Sequence, residues 1–247
     1  MAETKKQTYK KAGKTIKILG IGLNSTSISE VLRKIEKRIR DNQKTFIVTP
    51  NPEFLVFGQQ NPWFKEILNS ADISLPDGVG LVWAGRILGR PLKGRVTGAD
   101  LTVGLLELAV KNRWQVGVVG ARRGMVEERR RQVEILRQKY PGLKILALED
   151  TPGWQKERLE IVFACQGMGE QEKWIVKHLP TSGSLVFLGA GGSLDFLSGF
   201  ARRAPLVIRL IGFEWFWRLI HQPCRWRRQL ALLKFVWLVL TEKFFGI

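Results

Sequence analysis

Asp72-Ile73-Ser74-Leu75-Pro76-Asp77-Gly78-Val79-Gly80-Leu81-Val82-Trp83-Ala84-Gly85-Arg86-Ile87, continuing to Gly94-Arg95-Val96-Thr97-Gly98-Ala99-Asp100, is the stretch that sets the fold class. The β-type run 73–75 stops at Pro76, and Asp77 then precedes a glycine and a helical apolar pattern of Val79, Leu81, Val82 and Ile87. A carboxylate is thereby placed at the mouth of a strand-to-helix turn, where open α/β sheets bind ligands. Asp77 can equally be read as a cap for the helix that follows. The second turn, 94–100, adds glycine, cation and hydroxyl at the other end of the same apolar helix. Two polar turns bracketing one helix read as a site.

The same alternation extends outward in both directions. Upstream, residues 16–23 alternate and read as a strand, followed by the capping cluster Asn24-Ser25-Thr26-Ser27 and a periodic helix over 28–39. Phe46-Ile47-Val48 is a second apolar strand, ending at Thr49-Pro50-Asn51-Pro52 before a helix over 53–59. Thr49 and Asn51 thus fall at a strand's carboxyl end, as Asp77 does. Downstream, helices over 101–111, 125–140 and 171–179 alternate with strands over 114–119, 143–148, 159–165 and 184–188. This pattern predicts a Rossmann-like α/β fold, a mostly parallel sheet with helices on both faces. Glycines 189, 191 and 192 lie where backbone N–H groups could cradle a phosphate or simply form a tight turn, and Gly120-Ala121-Arg122-Arg123 poses the same question.

With 247 residues the chain can bury a sizeable core, and a hydrophobic fraction of 45% excludes global disorder. A net charge of +18 points to an anionic partner: nucleic acid, an acidic membrane face or a phosphorylated substrate. Two cysteines, Cys165 and Cys224, supply neither a disulfide framework nor a zinc site, which fits a reducing compartment. Residues 1–14 carry five lysines without an apolar core and read as a disordered basic arm, not a signal peptide. No run approaches the ~20 apolar residues of a spanning helix. The expected organisation is that arm, an α/β core over 15–205, and a helical appendage over 206–247.

The appendage differs in composition. Residues 201–247 hold nine Lys or Arg against two Glu, and four of the nine tryptophans: Trp215, Trp217, Trp226 and Trp237. Arginine beside tryptophan on short helices suits an interfacial helix, with indoles at headgroup depth and cations against anionic lipid. A terminal helix packed on the core through Leu232, Leu233, Phe235, Val236, Leu238 and Val239 is the other reading.

The usual catalytic kits are missing from the sequence. There is no Asp-x-Asp pair, no His-x-x-x-His, no Cys-x-x-Cys and no P-loop, so neither a metal site nor a cofactor is expected. His178 and His221 have no nucleophile partner by spacing and read as structural. General-base work falls to a carboxylate: Asp77, with Asp72, Asp100, Asp195 and Glu172 as competitors. A basic module binding nucleic acid or anionic lipid without catalysis is the alternative class. Aromatics held in apolar runs instead of interleaved with cations argue against nucleic acid, except in the appendage.

The chain resembles the WecG/TagA/CpsF glycosyltransferase family. The likeness rests on the Pro76-Asp77-Gly78-x-Gly80 turn and the Arg95-x-x-Gly98-x-Asp100 turn. Thr49-Pro50-Asn51, Val119-Gly120-Ala121, Gln171-Glu172-Lys173-Trp174, Gly189-Ala190-Gly191-Gly192 and Glu214-Trp215 with Arg218 recur in the family's order over nearly the whole chain after residue 15. The resemblance implies a core of the GT-E type and an inverting transfer of an N-acetylhexosamine, typically N-acetylmannosamine. The donor would be a UDP-sugar and the acceptor a polyprenyl-diphosphate-linked N-acetylglucosamine. It further implies Asp77 as base, with Thr49, Asn51, Gly78, Arg95, Gly98, Asp100 and Gln171 at the substrates and Arg218, Arg225 and Arg228 on the diphosphate. The enzyme would sit on the cytoplasmic face of the plasma membrane as a peripheral protein. One departure stands out: Gly167-Met168-Gly169-Glu170 lacks the proline that the family pattern carries before its Gln-Glu pair.

Overall fold

The computed structural model describes residues 14–120, 126–210, 212–221 and 226–246. The basic arm therefore lies outside the described residues, except Lys14, which opens the first strand. The chain starts with a hairpin, β1 (Lys14–Ile18) and β2 (Ile21–Ser25), turning through Leu19 at φ 50° and Gly20 at φ 71°. Residues 16–23 are thus two antiparallel strands paired Ile18 to Ile21, not the single strand their alternation suggests. The two-residue turn needs two consecutive left-handed residues, and a leucine in the first place gives no sequence signal for it. Asn24, 2% exposed, accepts through Oδ1 from Ser74 N at 2.7 Å, so the hairpin covers the outer edge of the main sheet.

Helix α1 (Ile28–Arg40) begins as its capping cluster requires. Ser27 Oγ accepts from Glu30 N, and the Glu30 carboxylate accepts from Ser27 N in return. The buried face is Val31, Ile35 and Ile39, spaced four apart. Then follow β3 (Thr45–Val48), α2 (Pro52–Gln60), α3 (Pro62–Ser70), β4 (Ile73–Ser74), α4 (Val79–Ile87) and α5 (Gly98–Asn112). Next come β5 (Gln115–Val119), α6 (Val126–Lys139), β6 (Lys144–Ala147), β7 (Ile161–Ala164), α7 (Glu170–His178), β8 (Val186–Gly189) and α8 (Gly191–Leu197). Helix α3 is left unread by the sequence pattern; Asn61-Pro62 restarts a helix immediately after α2, with proline in its first turn.

Strands β3 to β8 form one parallel sheet in the order β4-β3-β8-β7-β5-β6. Successive side chains feed opposite faces, as the two-residue period of a strand demands. Phe46, Val48, Val162, Ala164 and Phe187 pack in one core cluster, while Ile47, Ile161, Phe163, Val186 and Leu188 pack in the other. Helices α1, α5, α6 and α8 close the second cluster; α2, α3, α4, α7 and the hairpin close the first. Burial on both faces explains why these strands read as short unbroken apolar runs.

The appendage comprises α9 (Leu206–Leu210), α10 (Glu214–His221) and α11 (Trp226–Phe245). Helix α11 lies along α2 and α4 and sends Phe235 and Val239 into the core cluster on that face. Its far end is tied down as well: the Glu242 carboxylate accepts from Leu19 N at 2.7 Å and from Arg90 Nη1 at 2.9 Å. Only part of the apolar face read from sequence is covered, since Leu233 is 71% and Val236 54% exposed. Among the described residues no helix is long and apolar enough to cross a membrane.

Candidate active site

Parallel strands deliver all their carboxyl ends to one edge of the sheet, and there the sequence's polar turns converge. Three of these turns are stitched together by backbone. Asp77 N donates to Pro50 O at 2.8 Å, Val96 N donates to Pro76 O at 3.0 Å, and Gly98 N donates to Asp77 Oδ2 at 3.0 Å. The N-cap position of α4 is Gly78, without a side-chain cap, and not Asp77. Its carboxylate instead meets the first residue of α5, so a side chain at the start of one helix orients on the start of the next. Gly78 sits at φ 104° and ψ 150°, a conformation that residues with a Cβ rarely adopt, and this fixes Asp77 at the turn's apex.

Gly98 is required for a different reason, close approach. A Cβ there would stand 2.9 Å from Thr49 Oγ1, 3.5 Å from Ser193 Oγ and 3.6 Å from Asp77 Oδ2. Three oxygen-bearing side chains, from the turns after β3 and β4 and from the first turn of α8, therefore crowd around one backbone position. They line a cavity of about 650 Å³, together with Asn51, Gly78, Arg95, Thr97 and Gln171. Asn51 also caps α2, its Oδ1 accepting from Phe54 N at 3.1 Å, and Thr97 caps α5, accepting from Asp100 N at 3.1 Å.

Gln171, 6% exposed, reaches the cavity from the first turn of α7. Its Nε2 donates to Glu172 Oε1 at 2.6 Å, and Gly169 N donates to Glu172 Oε2 at 2.7 Å. Burial pushes the Glu172 carboxyl up to about 7, against the hydrogen bonds from Gln171 and Gly169. The departure from the family pattern acquires a reason here. Gly169 has φ 89°, which proline cannot adopt, and it contributes the N–H that proline lacks.

Asp100 is placed differently from the other expected residues. It is not among the residues lining the cavity; Oδ2 accepts from Thr97 Oγ1 at 2.7 Å and Oδ1 from Arg203 Nη2 at 2.5 Å, with Arg209 Nη1 at 3.9 Å. Burial works to raise this carboxyl, but hydrogen bonds from Arg203 and Thr97 and the charges of Arg203 and Arg209 outweigh it and hold it below its ordinary value. Asp100 therefore ties the start of the appendage to the site. Arg95, which does line the cavity, donates to Arg209 O and reinforces that tie.

The appendage forms a wall of the cavity through Gly212, Glu214 and Trp215 and through the α11 side chains Leu232, Phe235 and Val236. Arg225 lies outside the described residues, as do Arg122 and Arg123; Arg218 and Arg228 are placed by backbone on α10 and α11, and their side chains are likewise outside the described set. The sequence reading missed Ser193, in the first turn of α8, and on α4 it named Val79 and Ile87 but not Trp83, which lies midway between them. His178 and His221 each bond the carbonyl four residues back, Trp174 O and Trp217 O, in keeping with structural roles. Burial pushes the Cys165 thiol up to about 11, which removes it as a nucleophile at neutral pH. Among the described residues no group of three His, Cys, Asp or Glu could hold a metal ion.

The comparisons with known proteins agree with one another. The model of the glycosyl transferase WecG/TagA/CpsF family matches residues 16–246. A Bacillus spizizenii protein named N-acetylglucosaminyldiphosphoundecaprenol N-acetyl-beta-D-mannosaminyltransferase is 36% identical over 213 residues, covering 82% of this chain and 81% of its own length. Proteins of the same name from Bacillus subtilis and Staphylococcus aureus are 30% and 31% identical, covering 90% and 86% of this chain and 89% and 86% of their own lengths.

Proposed function

The chain belongs to the WecG/TagA/CpsF family of glycosyltransferases, and from that premise we propose that it moves N-acetylmannosamine from a UDP donor to a polyprenyl-diphosphate-linked N-acetylglucosamine. The observation that carries the reading is the position of Asp77. Its carboxylate stands at the polar end of a substrate-sized cavity, beside Thr49 and Ser193 and oriented by Gly98 N. A hydroxyl of the acceptor sugar gives its proton to Asp77 as its oxygen attacks the donor's anomeric carbon. The bond from that carbon to the nucleotide's phosphate oxygen breaks on the opposite face, UDP leaves with the electron pair, and the configuration inverts.

The other residues divide the remaining work. Thr49, Asn51 and Gln171 hold sugar hydroxyls and the acetamido group, Gly78 and Gly98 let the sugars approach the backbone, and Arg95 faces phosphate. Asp100 positions the appendage through Arg203 and Arg209. Arg218, Arg225 and Arg228 neutralise the charge that develops on the diphosphate, where fixed cations in a dry site act most strongly. The cationic, tryptophan-rich appendage supports peripheral attachment to an anionic membrane on its cytoplasmic face, where the lipid acceptor would be met.

The test is a panel of nucleotide sugars offered with N-acetylglucosaminyl diphosphate on a short lipid. UDP should be released with UDP-N-acetylmannosamine only when acceptor is present, and the glycosidic product should have inverted configuration. Release without acceptor, or transfer with retention, overturns the reading.

A further inference from the structure

The cavity has two chemically distinct ends. Among the described residues its charged lining residues, Glu53, Asp77, Arg95 and Glu214, lie outside α4 and α11. Every described side chain that α4 and α11 contribute is apolar; Arg228, at the start of α11, lies outside the described side chains. On α4 these include Val79, Trp83 and Ile87, and on α11 Leu232, Val236 and Leu240. Both sets are spaced by four, so each forms a stripe along one helical face.

The two stripes face the same trough. Helix α11 runs in the same direction as α4: a Cβ on Gly80 would lie 3.8 Å from Phe235 Cε1, and Arg90, just past α4, pairs with Glu242 near the end of α11. Between the stripes the floor is Ala84, Phe235 and Val239, each at most 4% exposed. The ridges remain in water, with Trp83 62%, Val236 54%, and Ile87 and Leu240 41% exposed. Apolar surface of this kind is unfavourable by about 25 cal/mol per Å² until something covers it, and contiguous patches mark a binding site. From Val79 to Ile87 the trough extends about 12 Å at the rise of an α-helix, and its upper end opens directly beside Gly78 and Asp77.

We propose that this trough binds the first isoprene units of the acceptor's lipid chain, threading them away from Asp77 between the two stripes. The inference rests on the reading of the acceptor as a polyprenyl diphosphate, the class that the relatives' names print. A bilayer is a broad surface and contacts ridges; a recess with a buried floor, two apolar walls and a polar head suits a single branched chain whose other end carries sugar and phosphate. The trough then acts as a ruler that holds the sugar hydroxyl at Asp77 while the rest of the chain stays in the membrane.

Three measurements on the full chain, with sedimentation equilibrium as a control for self-association, test this, with wild type compared to Ile87→Ser/Leu240→Ser and to Trp83→Ser, all changes at exposed positions. The first is direct binding of geranylgeranyl diphosphate, with isoprenyl diphosphates of decreasing length as competitors. The second is kcat/KM on N-acetylglucosaminyl diphosphate esterified to farnesyl or to methyl, both soluble and assayed without detergent. The third is sedimentation with anionic vesicles. In wild type, affinity and kcat/KM should rise about tenfold or more from the shortest to the longer chains. In the variants that ratio should collapse, with vesicle sedimentation altered far less. Equal kcat/KM on farnesyl and methyl acceptors in wild type, or variants that change only vesicle sedimentation, overturns the proposal and leaves the stripes as membrane anchors. Variants that change only the sedimentation-equilibrium mass overturn it in favour of a second copy. Chain-length-dependent binding without transfer from any donor supports the trough and defeats the glycosyl-transfer reading instead.

Discussion

The two ends of strand β4 each carry an aspartate, five residues apart, and they do opposite work. At the amino edge of the sheet, Asp72 is consumed by the fold. It accepts from Phe46 N at 2.7 Å and sits 3.4 Å from Arg38, which in turn bonds Thr45 Oγ1 at 2.6 Å and Lys44 O at 2.9 Å. Burial holds its carboxyl above the ordinary range in spite of those partners. At the carboxyl edge, Asp77 accepts from a backbone N–H at the start of α5 and lines an open cavity. Strand polarity separates them. One edge receives loops that return to close the sheet, while the other receives helix starts, whose N–H groups point outward and invite a ligand.

The largest effect should come from breaking the amino edge. Asp72→Ala removes a buried carboxylate that accepts from Phe46 N and faces Arg38, and should cost about 3 kcal/mol of stability, read by urea unfolding, with turnover per folded molecule close to wild type. A loss of turnover at full stability would mean that the two edges are not independent.

Glu172 sharpens the comparison, since it is an acid on the functional edge with the burial of a structural one. Its folded-state value of about 7 lies above its ordinary 4.5, so the folded state binds more protons between these limits. Its contribution is fully present below pH 4.5 and is lost as pH rises to 7, by roughly 3 kcal/mol, and is flat above. Subtracting the stability profile of Glu172→Gln from that of wild type should isolate this slope. A difference that rises with pH in the same window would refute it.

Asp77→Asn should lower turnover about 100-fold while leaving the unfolding midpoint within a few tenths of a molar, because the amide oxygen can still accept from Gly98 N. Turnover within about threefold of wild type would transfer the base to another group. The smallest expected effect is none. If the carboxyl edge handles the leaving diphosphate with arginines and backbone N–H groups, a chelator should not change the rate. An absolute requirement for magnesium or manganese would assign metal-binding work to the acids of that edge.

Much of this was legible before any coordinates. Local sequence determined the α/β alternation, the capping cluster before α1 and the polar turns at Thr49 and Asp77, because each depends on neighbours within a few residues, and the ordered set of such turns carried the family resemblance. Turn geometry at Leu19-Gly20 was not legible, since a leucine in the left-handed region is held there by the strands it joins. Nor was the partner of Asp77: the sequence allowed a cap for α4 and the tertiary structure supplied Gly98, twenty-one residues on. Asp100 read as a site residue and is instead held by Arg203 and Arg209, more than a hundred residues away. The stripe on α11 showed its period but not which side would be covered, and only packing against α2 and α4 chose Phe235 and Val239 for the core and left Val236 and Leu240 on the cavity. Periodicity is a property of one element, whereas burial is a property of two surfaces meeting, and that second fact exists only once the chain has folded.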